Sequence, residues 1–427
     1  MARKMKNSGI EWIGEIPEGW EIVPVRSCFD EVRTKNTDGQ EQNALQFKSG
    51  NIISKTNFNA SMDDYVADTI TNYTVVLPDT VMINGLNLNY DFKSLRVALV
   101  KEKGVITSAY LAIFPDRKKI SPQYATYLFK GYETKMAFHN MGAGIRKTLG
   151  YKEFKNQPLL LPSEKEQNKI SAYLDSKCSH IDIMLSKIRS SIEEYKKLKQ
   201  AVITQAVTKG VRGEREMKDS GVEWVGEIPK EWGCEKIKYA TSISRGLFNH
   251  RPRNDERYYN GKYPFIQTGD VANATKYIVS YSQTLNELGK SVSKEFPKGT
   301  LTMTIAANVG DVAILNFDAY FPDSVVGFIP NKNIRTLYLF YVFSAMKDEF
   351  TRTAIKSTQL NLNIDRVKET FIPVTLNVNE QCEIENYLES KCAEIDGLIA
   401  KKEQLVKELE SYKKSLIYEV VTGKREV

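Results

Sequence analysis

The sequence predicts an α+β chain: two globular domains of mixed strand and helix, separated by an antiparallel coiled coil of two long helices, with pseudo-two-fold symmetry. Three observations predict it. Two segments recur at nearly the same offset. Two stretches of about forty residues carry a helical apolar pattern without proline. Between the repeats lie two regions of nearly equal length and little mutual similarity.

The repeats come first, because an internal repeat redefines every later assignment. Residues 6–20 read KNSGIEWIGEIPEGW and residues 218–232 read KDSGVEWVGEIPKEW, with ten of fifteen positions identical at an offset of 212. All four tryptophans (Trp12, Trp20, Trp224, Trp232) fall in these segments. Residues 166–182, EQNKISAYLDSKCSHID, and 380–396, EQCEIENYLESKCAEID, match at ten of seventeen positions at an offset of 214. Such agreement is not chance. The chain therefore divides into a Trp-containing frame segment (1–20), a variable domain (21–162), a long helix (163–210), a second frame segment (211–232), a second variable domain (233–374) and a second long helix (375–427). Large aromatics are usually buried, so the tryptophans are expected to lock each frame segment against its helix and domain rather than to face a partner.

From Glu166 to about Val207 there is neither Pro nor Gly, with Pro162 and Ser163 before and Gly210 after. These are start and stop signals for a helix. Apolar residues recur at Ile170, Tyr173, Leu174, Ile181, Leu185, Ile188, Ile192, Tyr195 and Val202. From Ile181 the spacing alternates four and three, a heptad seam. The second copy offers Ile384, Tyr387, Leu388, Ile395, Ile399, Val406, Leu409 and Leu416, with Gly397 a local weak point. Forty helical residues span ~60 Å. Two such seams suit each other; the alternative is that each helix packs on its own domain.

The variable domains mix short β-rich runs with helices. The strands expected are Thr74–Leu77, Leu95–Lys101 and Tyr110–Phe114 in the first and Thr300–Ile305, Val312–Asn316 and Val325–Ile329 in the second. Helices are expected over Gln123–Met136 and Leu337–Thr353. A compact α+β domain of ~140 residues fits both.

Charge separates the parts. The chain of 427 residues carries 60 Lys+Arg and 53 Asp+Glu, a net +7. Residues 21–160 hold 18 basic and 14 acidic residues, and 233–371 hold 18 and 13, so the excess lies in the variable domains and the remainder is −2. A localised basic excess points to an anionic partner. The second domain contains Arg245, Asn249, His250, Arg251, Arg253, Asn254, Arg257, Tyr258, Tyr259 and Lys262. The first contains Lys48 and the window Asn84, Asn87, Asn89, Tyr90, Lys93 and Arg96. Before each long helix stands a further cluster: Arg146, Lys147 and Thr148, then Lys356, Ser357, Thr358, Gln359, Asn361 and Asn363. Cations bind phosphate, Asn and Gln bond adenine bidentately, and Arg and Lys bond guanine. The alternative is an exposed basic loop with no ligand.

Catalytic chemistry has little material. Cys28, Cys178, Cys234, Cys382 and Cys392 show no CxxC pair, and His139, His180 and His250 are scattered, against a disulfide framework, a zinc site or a His-based triad. MGAGIRKT (141–148) lacks the Gly directly before Lys that a phosphate loop needs. Asp79, Asp91 and Lys93 resemble a short nuclease signature, two acids and a lysine holding Mg²⁺, with no counterpart in the second domain. No apolar run reaches the ~18 residues of a membrane span, and MARKMKNSG lacks a signal-peptide core, so a cytoplasmic protein is expected.

The repeated SGIEWIGEIPEGW and SGVEWVGEIPKEW, followed by the repeated EQ…I…YL…K…ID helices, resemble the specificity subunit of a Type I restriction-modification system. The resemblance spans nearly the whole chain. It includes Leu161-Pro162 before the first EQ, and Pro264–Val271 (PFIQTGDV) and the looser Gly50-Asn51-Ile52 as strand entries. It implies two target-recognition domains, each reading one half of a bipartite, asymmetric double-stranded DNA target. It implies helices that set the distance between the halves and dock two methyltransferase subunits, with two restriction subunits completing the complex. This chain would carry no catalysis and no cofactor; adenosylmethionine, ATP and Mg belong to the partners, which methylate by base flipping. Two other functions compete: a standalone two-domain DNA-binding regulator, and the metal-dependent nuclease.

Overall fold

The computed structural model describes residues 3–48, 50–55, 70–141, 147–353, 355–356 and 360–427, with no side chains described for residues 353, 355, 356, 360 and 361. The chain forms two units, 1–189 with 403–427, and 190–402. Each holds one variable region and parts of both long helices.

In the first unit a four-stranded antiparallel sheet runs in the order Phe29–Glu31, Leu111–Pro115, Val81–Ile83, Val97–Leu99. Successive side chains of a strand point to opposite faces. Val81, Ile83, Val97 and Ile113 therefore pack with Tyr124, Leu128 and Phe129 of the helix Pro122–Thr134. Met82, Ala98 and Ala112 instead face Leu45, Ile52, Val76 and Ile106. These last come from the hairpin Leu45–Lys48/Asn51–Ser54 and the pair Thr74–Val76/Gly104–Ile106. Both faces are covered, which is why these strands read as continuous apolar runs.

In the second unit the sheet order is Thr241–Arg245, Val325–Pro330, Leu301–Thr304, Val312–Leu315, Tyr277–Ile278, with the last strand parallel to its neighbour. Its first four strands follow the same order as the four of the first unit. Leu301, Met303, Val326 and Phe328 pack on Tyr338, Leu339 and Phe343 of the helix Thr336–Ala345. Ala313 and Val325 face a separate cluster built on Ile266, Phe296 and Phe321. Domains with little sequence similarity thus share a core.

The two long helices are Glu164–Lys209 and Val378–Val421. The second runs unbroken through Gly397, where a glycine costs a helix about 1 kcal/mol relative to alanine. In the first unit Asp182 pairs with Lys413 at 2.6 Å, and Arg189 pairs with Glu410. In the second, Lys199 pairs with Asp396 at 2.6 Å. Rising numbers on one helix meet falling numbers on the other. The pairs Asp182–Lys413 and Asp396–Lys199 are one interaction repeated, since Asp182 and Asp396, and Lys199 and Lys413, stand 214 residues apart.

The frame segments fasten these helices to their domains. Trp20 and Trp232 are each 1% exposed. Trp20 Nε1 donates to Glu166 at 2.9 Å, and Trp232 Nε1 to Glu380 at 3.1 Å. Arg3 pairs with Glu166 while lying over Trp20, as Arg215 does with Glu380 and Trp232. The neighbouring Gln167 accepts from the Ser121 amide and donates to the carbonyls of Lys119 and Pro162. Gln381 repeats this with Arg335, Asn333 and Thr375. The EQ pair is therefore a clamp: Glu holds the indole, and Gln satisfies backbone groups where the domain helix begins. Trp12 and Trp224 are only half-buried.

Two further expectations change. The stretch Leu337–Thr353 is two helices, Thr336–Ala345 and Lys347–Thr353, meeting at Met346, whose ψ of 3° leaves the helical range. Pro264–Val271 is not a strand entry throughout: the strand ends at Phe265, and Thr268–Asn273 is helical. Asp270 accepts from the Gln267 amide at 2.8 Å and caps that turn.

Candidate nucleic-acid interface

In the first unit three of the polar segments meet on one rim. The loop between Val81–Ile83 and Val97–Leu99 carries Asn84, Asn87 and Lys93. Leu88 N donates to the carbonyl of Lys147, and Leu149 N to that of Gly85, which ties the loop to Lys147 and Thr148. The hairpin bearing Lys48 turns at Gly50, where an added Cβ would come within 3.0 Å of Leu95 of the same loop. Lys48, Asn87, Lys93, Lys147 and Thr148 are exposed. Asn84 is half-buried and its Oδ1 accepts from the Leu86 amide. Arg146 lies outside the described residues.

Arg96 is a correction. Its cationic side chain suggests phosphate contact, yet it is 1% exposed. It donates to the carbonyls of Asn84 and Leu86 at 2.9 Å each and of Asp91 at 2.5 Å, and lies 3.8 Å from the Asp91 carboxylate. It shapes the loop from inside. The nuclease candidates are likewise engaged elsewhere. Asp79 pairs with Arg117 at 2.7 Å. Asp91 accepts from the amides of Lys93 and Ser94, and its hydrogen bonds to Ser94 bring its pKa down to about 2. Among the described residues no His/Cys/Asp/Glu group is arranged to hold a metal ion.

In the second unit the arginine-rich segment is organised by two carboxylates. Arg245 donates to the Asp323 carbonyl, Arg253 pairs with the Asp323 carboxylate, and Arg251 lies 3.7 Å from it. Asp255 binds Arg257 at 2.7 Å and His250 at 2.9 Å, and Arg257 holds that carboxyl well below the usual range. Tyr258 is half-buried and stacks on His250 at 4.0 Å, so it supports the loop. Asn249 is exposed, and its amide donates to Val292. The segment meets the pre-helix cluster through the backbone: Ile305 N donates to Ser324 O, beside Asp323, and Leu362 N donates to Ile305 O. Lys356 and Asn361 lie in the paired strands Ile355–Lys356 and Leu360–Asn361; Thr358 and Gln359 lie outside the described residues. Leu149–Gly85 in the first unit and Leu362–Ile305 in the second are the same tie in two sequences.

Each unit thus presents a rim of cations, amides and hydroxyls on a sheet-and-helix core: the chemistry of phosphate and base-edge contact. Residues 245–408 match the Type I restriction modification DNA specificity domain. The chain is 24% identical over 96% of its length to a protein of Methanocaldococcus jannaschii named for the type I restriction enzyme MjaX specificity subunit, covering 95% of it. It is also 24% identical to the MjaVIII specificity subunit of the same organism, covering 96% of this chain and 93% of that one. The chain is thus similar over nearly its whole length to Type I restriction-modification specificity subunits. A solved chain from work on complex assembly and conformational transition of the type I R-M system shares the fold, with a TM-score of 0.71 at 14% identity over 96% of this chain and 99% of that one. This reading stands over the standalone regulator and the nuclease.

Ile181, Leu185 and Leu416 are buried in the first unit's core, with Val406 and Leu409 half-buried against it. Ile188, also in the first unit, is half-buried; in the second unit Ile192 and Ile395 are buried, while Tyr195 and Ile399 are half-buried. No described helix is long and apolar enough to cross a membrane. Sequence reasoning missed Phe92, which is 57% exposed on the first rim. The run YDF between Asn89 and Lys93 is the only signal for it.

Proposed function

We propose that this subunit reads a bipartite double-stranded DNA target, one rim per half-site, and that its two helices form an antiparallel coiled coil holding the rims in pseudo-two-fold relation. One observation carries the reading: a repeated frame, clamped by Trp20–Glu166 and Trp232–Glu380, mounts the same core twice, while the variable regions that bear the rims share little sequence. A duplicated frame with unlike surfaces suits an asymmetric target. Lys48, Asn84, Asn87, Lys93, Arg146, Lys147 and Thr148 serve the first half-site. Arg245, Asn249, Arg251, Arg253, Tyr258, Lys356, Thr358, Gln359 and Asn361 serve the second. The seam runs through Ile181, Leu185, Ile188, Ile192 and Tyr195 on one helix and Ile395, Ile399, Val406, Leu409 and Leu416 on the other.

The chain chooses the site and performs no chemistry. Two methyltransferase subunits supply adenosylmethionine and two restriction subunits supply ATP- and Mg-dependent cleavage, in the cytoplasm. The test is the host methylome with and without this gene, together with methyl transfer in vitro by the methyltransferase with and without the purified chain. Loss of one bipartite motif on deletion, and methylation only when both proteins are present, is expected. An unchanged methylome points to a regulator. Transfer or cutting by the chain alone refutes the division of labour.

A further inference from the structure

The first rim ends in a pair of exposed aromatic rings that the contacts above leave without a role. Tyr90 is 73% exposed and Phe92 57%. Large apolar side chains grouped at a surface mark an interaction site. These two stand on a fixed loop. Arg96 ties three of its carbonyls from inside, Asn87 turns it with a φ of 52°, and His139 Nε2 donates to the Asp91 carbonyl at 3.1 Å. Phe92 lies flat on the His139 ring, with centroids 5.1 Å apart and planes 12° apart. One face of Phe92 is therefore covered and its outer side is open. Asn87 and Lys93 on the same loop, and Lys147 and Thr148 on the segment tied to it through Leu88 and Leu149, are exposed.

A flat ring with one open face among cations suits one flat π-surface beside phosphates, which is a nucleobase. Bases inside an intact duplex have both faces covered. A base acquires a bare face when its neighbour is extruded, as methylation of a base requires. We propose that Phe92, backed by His139, stacks on a base of the first half-site whose neighbour has left the helix, replacing the lost stacking. The proposal rests on the DNA-reading function above and adds to it a contact that appears only in opened DNA.

The experiment uses the full-length chain and a duplex carrying the methylated sequence mapped for it, intact or with one abasic position scanned through the first half-site. The chain is expected to bind one abasic duplex more tightly than the intact one. Phe92→Ala should abolish that preference, weaken abasic-duplex binding roughly ten-fold and leave the salt slope unchanged. Phe92→Leu, which keeps apolar bulk without a π-face, should behave like Phe92→Ala, and Phe92→Trp like the parent. Lys93→Ala and Lys147→Ala should weaken all duplexes and lower the salt slope. If the lysine variants weaken binding but Phe92→Ala and Phe92→Leu keep the abasic preference, stacking is wrong and DNA reading stands. If the lysine variants change nothing either, the rim itself is misassigned. If the Phe92 variants bind every duplex normally but lose the methyltransferase, the ring is a protein contact and the proposal falls.

Discussion

Trp20 Nε1 donates to the Glu166 carboxylate at 2.9 Å across 146 residues of chain, and Trp232 makes the same bond to Glu380 across 148. Each indole is buried, so its N–H needs a partner, and each carboxylate also holds an arginine, Arg3 or Arg215. The bond joins the frame segment to the first turn of a long helix. Replacing Trp232 by Ala removes a fully buried ring and should cost about 3–5 kcal/mol of unfolding free energy. Trp232→Phe keeps most of the bulk and loses the bond, costing about 1–3 kcal/mol. Trp224→Ala should cost less than Trp232→Ala, because that ring is half-buried. Urea denaturation of the three variants checks the order, and equal losses for Trp224→Ala and Trp232→Ala would contradict it.

Arg96 gives a second test, because a buried structural cation and a phosphate-binding cation respond differently. Arg96→Met leaves the Asn84 and Leu86 carbonyls without their donor, the Asp91 carbonyl with His139 alone, and the Asp91 carboxylate without its charge partner. A loss of about 3–5 kcal/mol is expected. A variant with normal stability and a reduced salt slope for DNA binding would instead make Arg96 a phosphate contact.

The long helices were legible because their evidence is local: no proline, caps at each end, and apolar residues at helical spacing. The strands near Thr74, Val97, Leu111, Leu301, Val312 and Val325 were legible for the same reason, as short apolar runs between turn signals. What escaped was set by distant partners. The EQ pair was visible as a repeat, but its bonds to Trp20 and to the Lys119 carbonyl exist only after folding. Arg96 and Lys93 look alike in a chain of letters, yet one lies inside its loop and the other outside. Arg245, Arg251 and Arg253 read as free cations until Asp323, some seventy residues on, comes among them. Electrostatic partnership across such separations has no periodicity to betray it.

Glu133 makes stability pH-dependent. It accepts from the Arg96 amide at 2.5 Å, and burial pushes its pKa from an ordinary 4.5 up to about 7. Because the folded value is the higher one, the native state holds the proton more tightly. The contribution of Glu133 is therefore full below about pH 4.5, falls as pH rises towards 7, and levels off above. The penalty is on the order of 3 kcal/mol. Glu133→Gln keeps the acceptor oxygen and removes the titration. It should raise the melting temperature at pH 8 and change it little at pH 5. A variant equally stabilised at both values would show that Glu133 is not the titrating group.

The last prediction concerns spacing. Asp182–Lys413 in one unit and Lys199–Asp396 in the other fix which residues of the two helices face each other. Exposed pairs of this kind contribute only about 0–1 kcal/mol, so their use is register rather than stability. If the helices are a ruler between the half-sites, lengthening both should lengthen the spacer and nothing else. Extending one helix alone would force a bulge against its partner, so the insertion must be paired. Four residues after Ser191 and four after Glu403 add about one turn to each helix, ~6 Å, and nearly preserve the buried face. Base pairs are spaced ~3.4 Å along the duplex. Both half-site sequences should survive, since neither rim is touched, and the unspecified spacer should grow by one or two base pairs. Mapping methylated sites with the reconstituted methyltransferase reads this directly. An altered half-site with an unchanged spacer would refute the ruler. If the doubly extended chain does not assemble, exchanging Asp182 with Lys413 tests the register alone. Either single reversal should lower the melting temperature, and the double exchange should restore it.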